Sequence, residues 1–222
     1  FDHIYAGIDC YKGEILTPQD PLWGIKSLAK QVKASGIKAI HGNVLVDNRL
    51  FETIAPRGNT LSPVMVNENL VDMEVMPTQV GKSALLRWRP QVSQLQVVNH
   101  VLTSAPGEKP VINVTANACD SQIVVSGTVP ADRQKVVAVS PIQNPQQFVQ
   151  NALLDALHGE GIAVIPNASI TNTLPDLKSY TTLKPVAVFI SPPLSEYAKL
   201  IWKVSHNPGA NLVPLLLSAS QN

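Results

Sequence analysis

Apolar residues near the start of the chain recur three and four positions apart. Leu22, Ile25, Leu28, Ala29 and Val32 share one face, which predicts a helix over Pro18 to Ser35 with Thr17 or Asp20 as N-cap and Gly36 as its stop. Short strand-like runs follow at Ile37 to Ile40 and Asn43 to Val46. From Val64 to about Val139 the pattern is almost entirely β. Val71 to Met76, Ala84 to Trp88, Gln94 to Val98, Val111 to Thr115, Ile123 to Val129 and Lys135 to Val139 are separated by proline, glycine and Asp turns. A second helix is predicted from Asn144-Pro145, a capping residue followed by proline at the first helical position. Its stripe is Val149, Ala152, Leu153, Ala156 and Leu157, and Gly159 and Gly161 end it. A strand at Val186 to Ile190 precedes a last helix with the stripe Leu194, Tyr197, Ala198 and Ile201. Pro208-Gly209 then reads as a forced turn, so Ser205 and Asn207 sit where a buried helix face ends and can aim into a cleft.

No repeat, low-complexity tract or charge run breaks this order, and the shift from helix to β near residue 62 is the best candidate domain boundary. Composition narrows the class. Lys+Arg 17 against Asp+Glu 16 leaves +1, so the basic surplus that drives phosphate binding is missing and nucleic acid is not expected as a partner. With 45% apolar residues and a mean hydropathy of +0.09, the chain can bury enough surface to offset its entropy. Proline, 18 of 222 residues or about 8% against a usual ~5%, demands many turns. No apolar run reaches the ~18 residues of a membrane span. The opening Phe1-Asp2-His3 has no initiator Met, which suggests a removed targeting segment or a piece of something longer.

Most local motifs have ordinary explanations. Cys10 and Cys119 lack CxxC spacing and a His-rich setting, so zinc and thioredoxin chemistry are excluded; one disulfide and two buried thiols both stay open. Gly81-Lys82-Ser83 has Met76 where a phosphate loop needs glycine, and reads as a hairpin. Asn113 and Asn167 head glycosylation sequons, and the five histidines are scattered. No metal and no cofactor is expected. Ser205-His206-Asn207 has more chemical content: a hydroxyl can relay a proton toward a leaving nitrogen, and a neutral amide can hold a substrate carbonyl. Serine enzymes with a lysine-activated nucleophile bring Ser-x-x-Lys, Ser-x-Asn and Lys-Thr-Gly to one cleft.

The run Phe189 to Glu196, then Lys203-Val204-Ser205-His206-Asn207 with Ala210 three on, resembles the class C low-molecular-mass penicillin-binding proteins, serine-type D-Ala-D-Ala carboxypeptidases/endopeptidases. Upstream, Leu16-Thr17-Pro18, Ser35 to Lys38 and Gly42 to Phe51 resemble that family's small inserted domain. Ser62 to Asn69, Pro77-Thr78, Gly81, Gly127 to Pro130 and Gly161 to Val164 resemble its β-rich domain. The sequence also departs from the pattern. Lys-Thr-Gly is missing, and the two Ser-x-x-Lys matches fail on geometry, Ser27 lying mid-helix and Ser35 preceding a helix-ending glycine. Pro208-Gly209 replaces larger residues and Asn211 stands where many relatives carry Glu.

The resemblance implies a multi-domain α+β fold. Residues 1–16 are the lead-in, 17–62 a small inserted α/β domain, 63–185 a β-rich accessory domain, and 186–222 a strand-helix piece of a transpeptidase-like (β-lactamase-like) catalytic domain. It implies a periplasmic or otherwise extracytoplasmic enzyme acting through an acyl-enzyme on peptidoglycan stem peptides that end in D-Ala-D-Ala, and inhibited by β-lactam antibiotics. Ser205 and Asn207 are its implied catalytic residues here, while His206 is given no role. Without the nucleophile motif the chain alone is expected to be inactive, and the apolar face of its last helix to favour self-association. Two alternatives stand beside this reading. One is a non-catalytic extracytoplasmic module derived from the family that binds peptidoglycan or protein; the other is an unrelated β-rich domain in which Ser205 and Asn207 merely cap a helix.

Overall fold

The computed structural model describes residues 3–4, 15–16, 18–56, 60–118, 120–169 and 173–221. Cys10, Cys119 and Thr17 lie outside them, so the disulfide and the Thr17 cap stay sequence expectations. The chain runs β1 (His3–Ile4), β2 (Ile15–Leu16), α1 (Trp23–Ala34), β3 (Ala39–His41), β4 (Leu70–Met76), β5 (Leu85–Arg89), β6 (Gln96–Ser104), β7 (Val111–Ala116), β8 (Gln122–Pro130), β9 (Val136–Pro141), α2 (Pro145–Gly159), β10 (Ala163–Ile165), α3 (Leu194–Val204) and α4 (Asn207–Ala219). This is the mixed α and β, multi-element architecture expected from the sequence.

Two three-stranded sheets dominate, ordered β5-β4-β9 and β6-β8-β7. The first is antiparallel throughout, with Met73 opposite both Trp88 and Ala138. In the second, β6 runs parallel and β7 antiparallel to β8. Val71, Met73 and Val75 of β4 meet Val101 of β6 and Ile123, Val125 and Val129 of β8 in one core, closed by Phe148 and Ala152 of α2 and by Leu22 and Ile25. Burying each of these large side chains contributes about 1.5–3 kcal/mol. At Gly127 (φ +119°) a Cβ would fall 1.9 Å from the Val111 carbonyl oxygen, so only glycine lets β7 and β8 close there.

A second core joins α1 to α2 and the strands that follow them. Ala29 of α1 packs with Leu157 of α2 and Ile162, and the parallel pair β3–β10 lies beside them. Segments on both sides of position 62 therefore build it. The Asn144 side chain accepts the Gln147 N–H, as the Asn-Pro signal predicts.

Four expectations need correction. α1 starts at Trp23, because Asp20 spends its carboxylate on a turn: Oδ1 accepts the Leu22 N–H at 2.9 Å and Oδ2 takes Lys26 Nζ at 2.6 Å. Asn43 to Val46 forms no strand. Its carbonyls are satisfied by α2 side chains, Gln150 Nε2 donating to Val44 O and Gln146 Nε2 to Val46 O. Val186 to Ile190 is likewise no strand; the Gln31 amide donates to Val188 O and accepts from Val188 N, both at 3.0 Å, standing in for a neighbouring strand. Phe189 packs edge-on against Trp23 with ring centroids 5.4 Å apart. Finally, the chain continues past Ser205 into α4. Pro208 occupies its first turn, where no backbone N–H is needed, so the proline read as a turn signal starts a helix.

Candidate functional site

The Ser-x-Asn segment is a bend between two helices. α3 ends when Ser205 adopts left-handed backbone (φ 52°, ψ 45°), and the His206 N–H donates back to Ile201 O at 3.0 Å. His206 is then the N-cap of α4, its Nδ1 accepting the Gly209 N–H at 3.0 Å. That nitrogen therefore carries no hydrogen in this arrangement, and Nε2 holds the ring's proton. Gly209 has no space for a side chain, since a Cβ would lie 2.7 Å from Nδ1 and 2.8 Å from Ile201 Cγ1.

Nε2 points at a carboxylate 138 positions earlier in the chain, 2.9 Å from Glu68 Oε1, and both side chains are largely buried. Glu68 lies in an unusual turn. Asn67, Glu68 and Asn69 take φ of 51°, 56° and 57°, a left-handed conformation costing about 1–2 kcal/mol for most residues and less for Asn. The two asparagines suit the turn through local bonds. Asn67 Nδ2 donates to Leu70 O and to Asp72 Oδ2, while Asn69 Nδ2 donates to Thr60 O and Oδ1 accepts from Val66 N. Glu68 instead sends its carboxylate across to α4. Beneath the turn, the fully buried Asp72 is held by Arg89 Nε at 3.0 Å.

The bend sorts three consecutive side chains. His206 faces inward, whereas Ser205 and Asn207 are exposed. On the inner side lies a cavity of about 570 Å³ lined by Trp23, Met65, Glu68, Tyr197, His206 and Leu212, among others; Ser205 and Asn207 do not line it. Burial, then the Glu68 charge, raises the Tyr197 phenol above its ordinary range. Burial pushes the Asp20 carboxyl at the cavity rim up, but hydrogen bonds from Lys26 and the Leu22 N–H outweigh it and lower the group overall.

The other sequence candidates lie apart. Gly81 (φ +80°) and Lys82 form the turn between β4 and β5. Ser27 sits within α1, and the Ser35 hydroxyl donates to Val32 O at its end. His41, His100 and His158 are exposed, as are Asn113 and Asn167. Among the described residues no group of three His, Cys, Asp or Glu gathers as metal ligands would, and no helix is long and apolar enough to cross a membrane. Asp47 and Arg49 form a two-pronged pair, joined by the Tyr180 hydroxyl at 2.9 Å. The Arg49 hydrogen bond holds the Asp47 carboxyl well below the usual carboxylate range.

Sequence reasoning missed the Glu68–His206 pair. The unusual Asn-Glu-Asn run was visible, but no spacing rule links it to a residue so far along the chain.

Comparison with known proteins gives a family and a fold. Residues 14–221 match the family model described as D-Ala-D-Ala carboxypeptidase 3 (S13). No curated protein matches the chain. The fold is similar to the crystal structure of penicillin binding protein 4 from Haemophilus influenzae, with a TM-score of 0.64 at 18% identity over 88% of this chain and 44% of that one. A second structure of that protein, complexed with a β-lactam, gives 0.56 at 17% identity over 84% of this chain and 41% of that one. The chain thus spans under half the length of either structure.

Proposed function

Because the chain belongs to the D-Ala-D-Ala carboxypeptidase 3 (S13) family, we propose that it is the interior portion of an extracytoplasmic serine-type D-Ala-D-Ala carboxypeptidase/endopeptidase. Residues 17–62 and 63–185 are its accessory regions, and residues 186–222 bring Ser205 and Asn207 to the catalytic cleft. The observation that carries this reading is the bend at Ser205, which leaves the hydroxyl and the Asn207 amide exposed while His206 between them is tied down. The segment 186–222 also carries uncovered apolar side chains, with Trp202 84% and Ile190 85% exposed. The remainder of the catalytic domain packs on them, and the chain by itself is prone to self-associate through them.

In this mechanism a serine contributed by Ser-x-x-Lys attacks the carbonyl of the terminal D-Ala-D-Ala bond of a peptidoglycan stem peptide. The C–N bond breaks, the departing D-Ala nitrogen takes a proton relayed by the Ser205 hydroxyl, and an acyl-enzyme remains. Water then cleaves the ester and restores the serine. The Asn207 amide accepts and donates without adding charge, so it holds the peptide and orients the active-site lysine. A β-lactam enters by the same attack and stays as a stable ester.

The test is labelling by a fluorescent penicillin of the complete protein, with Ser-x-x-Lys before this segment and Lys-Thr-Gly after it. Ser205→Ala, which removes a proton-transfer group, and Asn207→Ala, which misplaces the peptide and the lysine, are each expected to slow acylation by about 10²-fold while unfolding stays cooperative. The 222-residue chain alone is expected not to label. Wild-type acylation by either variant would sink the assigned roles.

A further inference from the structure

We propose that Glu68 is a positioning residue for Ser205 and Asn207, acting through His206; the proposal rests on the roles given to that pair above. Three observations converge on it. In the left-handed turn at Asn67–Asn69 the asparagines are explained by their bonds to the surrounding backbone, while the glutamate departs from the turn and reaches His206 Nε2 at 2.9 Å. The imidazole is held at both nitrogens, by Glu68 on one side and by the Gly209 N–H on the other, which fixes its orientation. Gly209 leaves no room between that ring and Ile201, so the ring, the start of α4 and the end of α3 are packed as one unit.

Ser205 and Asn207 flank this locked residue. Their directions follow from the left-handed backbone at 205 and the extended backbone at 206, so the carboxylate of a distant turn sets where hydroxyl and amide point. A ring released from Glu68 can rotate away from Gly209. The N-cap of α4 is then lost, and the bend carrying the site loosens. By this route the segment before β4 acts on the catalytic pair without touching substrate.

The experiment uses the complete protein with labelled histidine. Glu68→Ala is expected to lower the rate of acylation by a fluorescent penicillin by about 10- to 100-fold, the scale of a misplaced catalytic group. Glu68→Gln, whose amide oxygen still accepts from Nε2, recovers most of that loss. Nitrogen NMR of the imidazole gives a readout that general destabilisation would not mimic. The wild type is expected to hold the Nε2–H tautomer, and Glu68→Ala to show a mixture while its melting temperature stays close to wild type. An Nδ1–H tautomer in the wild type overturns the proposal, as does a Glu68→Gln variant as slow as Glu68→Ala. Wild-type acylation by Glu68→Ala beside a slow Ser205→Ala overturns the positioning role alone. Wild-type acylation by Ser205→Ala removes the function assigned to the pair and the proposal with it, so the two failures are told apart.

Discussion

Replacing Gly209 by alanine tests the packing at the bend through a single methyl group. That carbon would lie 2.7 Å from His206 Nδ1, 2.8 Å from Ile201 Cγ1 and 3.0 Å from Ile201 Cδ1, all below ordinary contact. Ile201 is only 7% exposed and has little freedom to retreat, so the imidazole has to move. Overpacking of this kind costs about 1–3 kcal/mol, and losing the Nδ1 cap costs about 1 kcal/mol more. Alanine is better than glycine in a helix by up to about 1 kcal/mol, which offsets part of this. The net expectation is a destabilisation of about 1–3 kcal/mol, or a fall of roughly 3–10 °C in melting temperature for a chain of this size. Urea and thermal unfolding measure it. Gly159→Ala in the last turn of α2 is the matched control, because its Cβ would meet nothing within 4 Å, and it is expected to stabilise by up to about 1 kcal/mol. If Gly209→Ala proves as stable as this control, the ring does not sit against Gly209 and the docking of His206 is refuted.

Two further substitutions test the framework around the site. Arg89→Ala leaves the buried Asp72 carboxylate without its guanidinium, and a destabilisation of about 3–5 kcal/mol is expected in urea unfolding, with part of it recovered in Arg89→Ala/Asp72→Asn; a change under about 0.5 kcal/mol would contradict the buried pair. Asp47 has a folded-state pKa below its unfolded value, so its contribution to stability is present above the ordinary carboxylate range and is lost as pH falls through the depressed value. Asp47→Asn is therefore expected to be less stable than wild type at pH 7, with the gap narrowing below about pH 4. A gap that widens on acidification would reverse the sign of this linkage.

Much of the fold is legible in the sequence where one local signal decides the outcome. The β4 to β9 strands follow their apolar runs and turn residues, and Asn144-Pro145 marks the start of α2 because capping is settled within one turn. The errors arise where a distant partner decides. Asn43 to Val46 and Val186 to Ile190 have strand composition, yet glutamine side chains from α2 and α1 take the backbone bonds that a neighbouring strand would supply. Pro208-Gly209 carries two opposed signals, turn and helix start, and the His206 cap with the tight Ile201 contact selects the second. Ser205 and Asn207 are singled out by motif and family resemblance, and their catalytic role is the proposal made above. The Glu68 link is not legible in this way, since a hydrogen bond across 138 positions leaves no periodic trace.

The central claim is that this segment belongs to a working peptidase and contributes Ser205 and Asn207 to its cleft. The most direct measurement is D-Ala release by the complete protein from a peptidoglycan stem peptide ending in D-Ala-D-Ala, with Asn207→Ala measured in parallel. The expected result is one D-Ala freed per peptide by the wild type and release slowed by about 10²-fold in the variant, at unchanged folding stability. A folded wild-type protein that binds the peptide and frees no D-Ala would contradict the account and leave a binding module in its place.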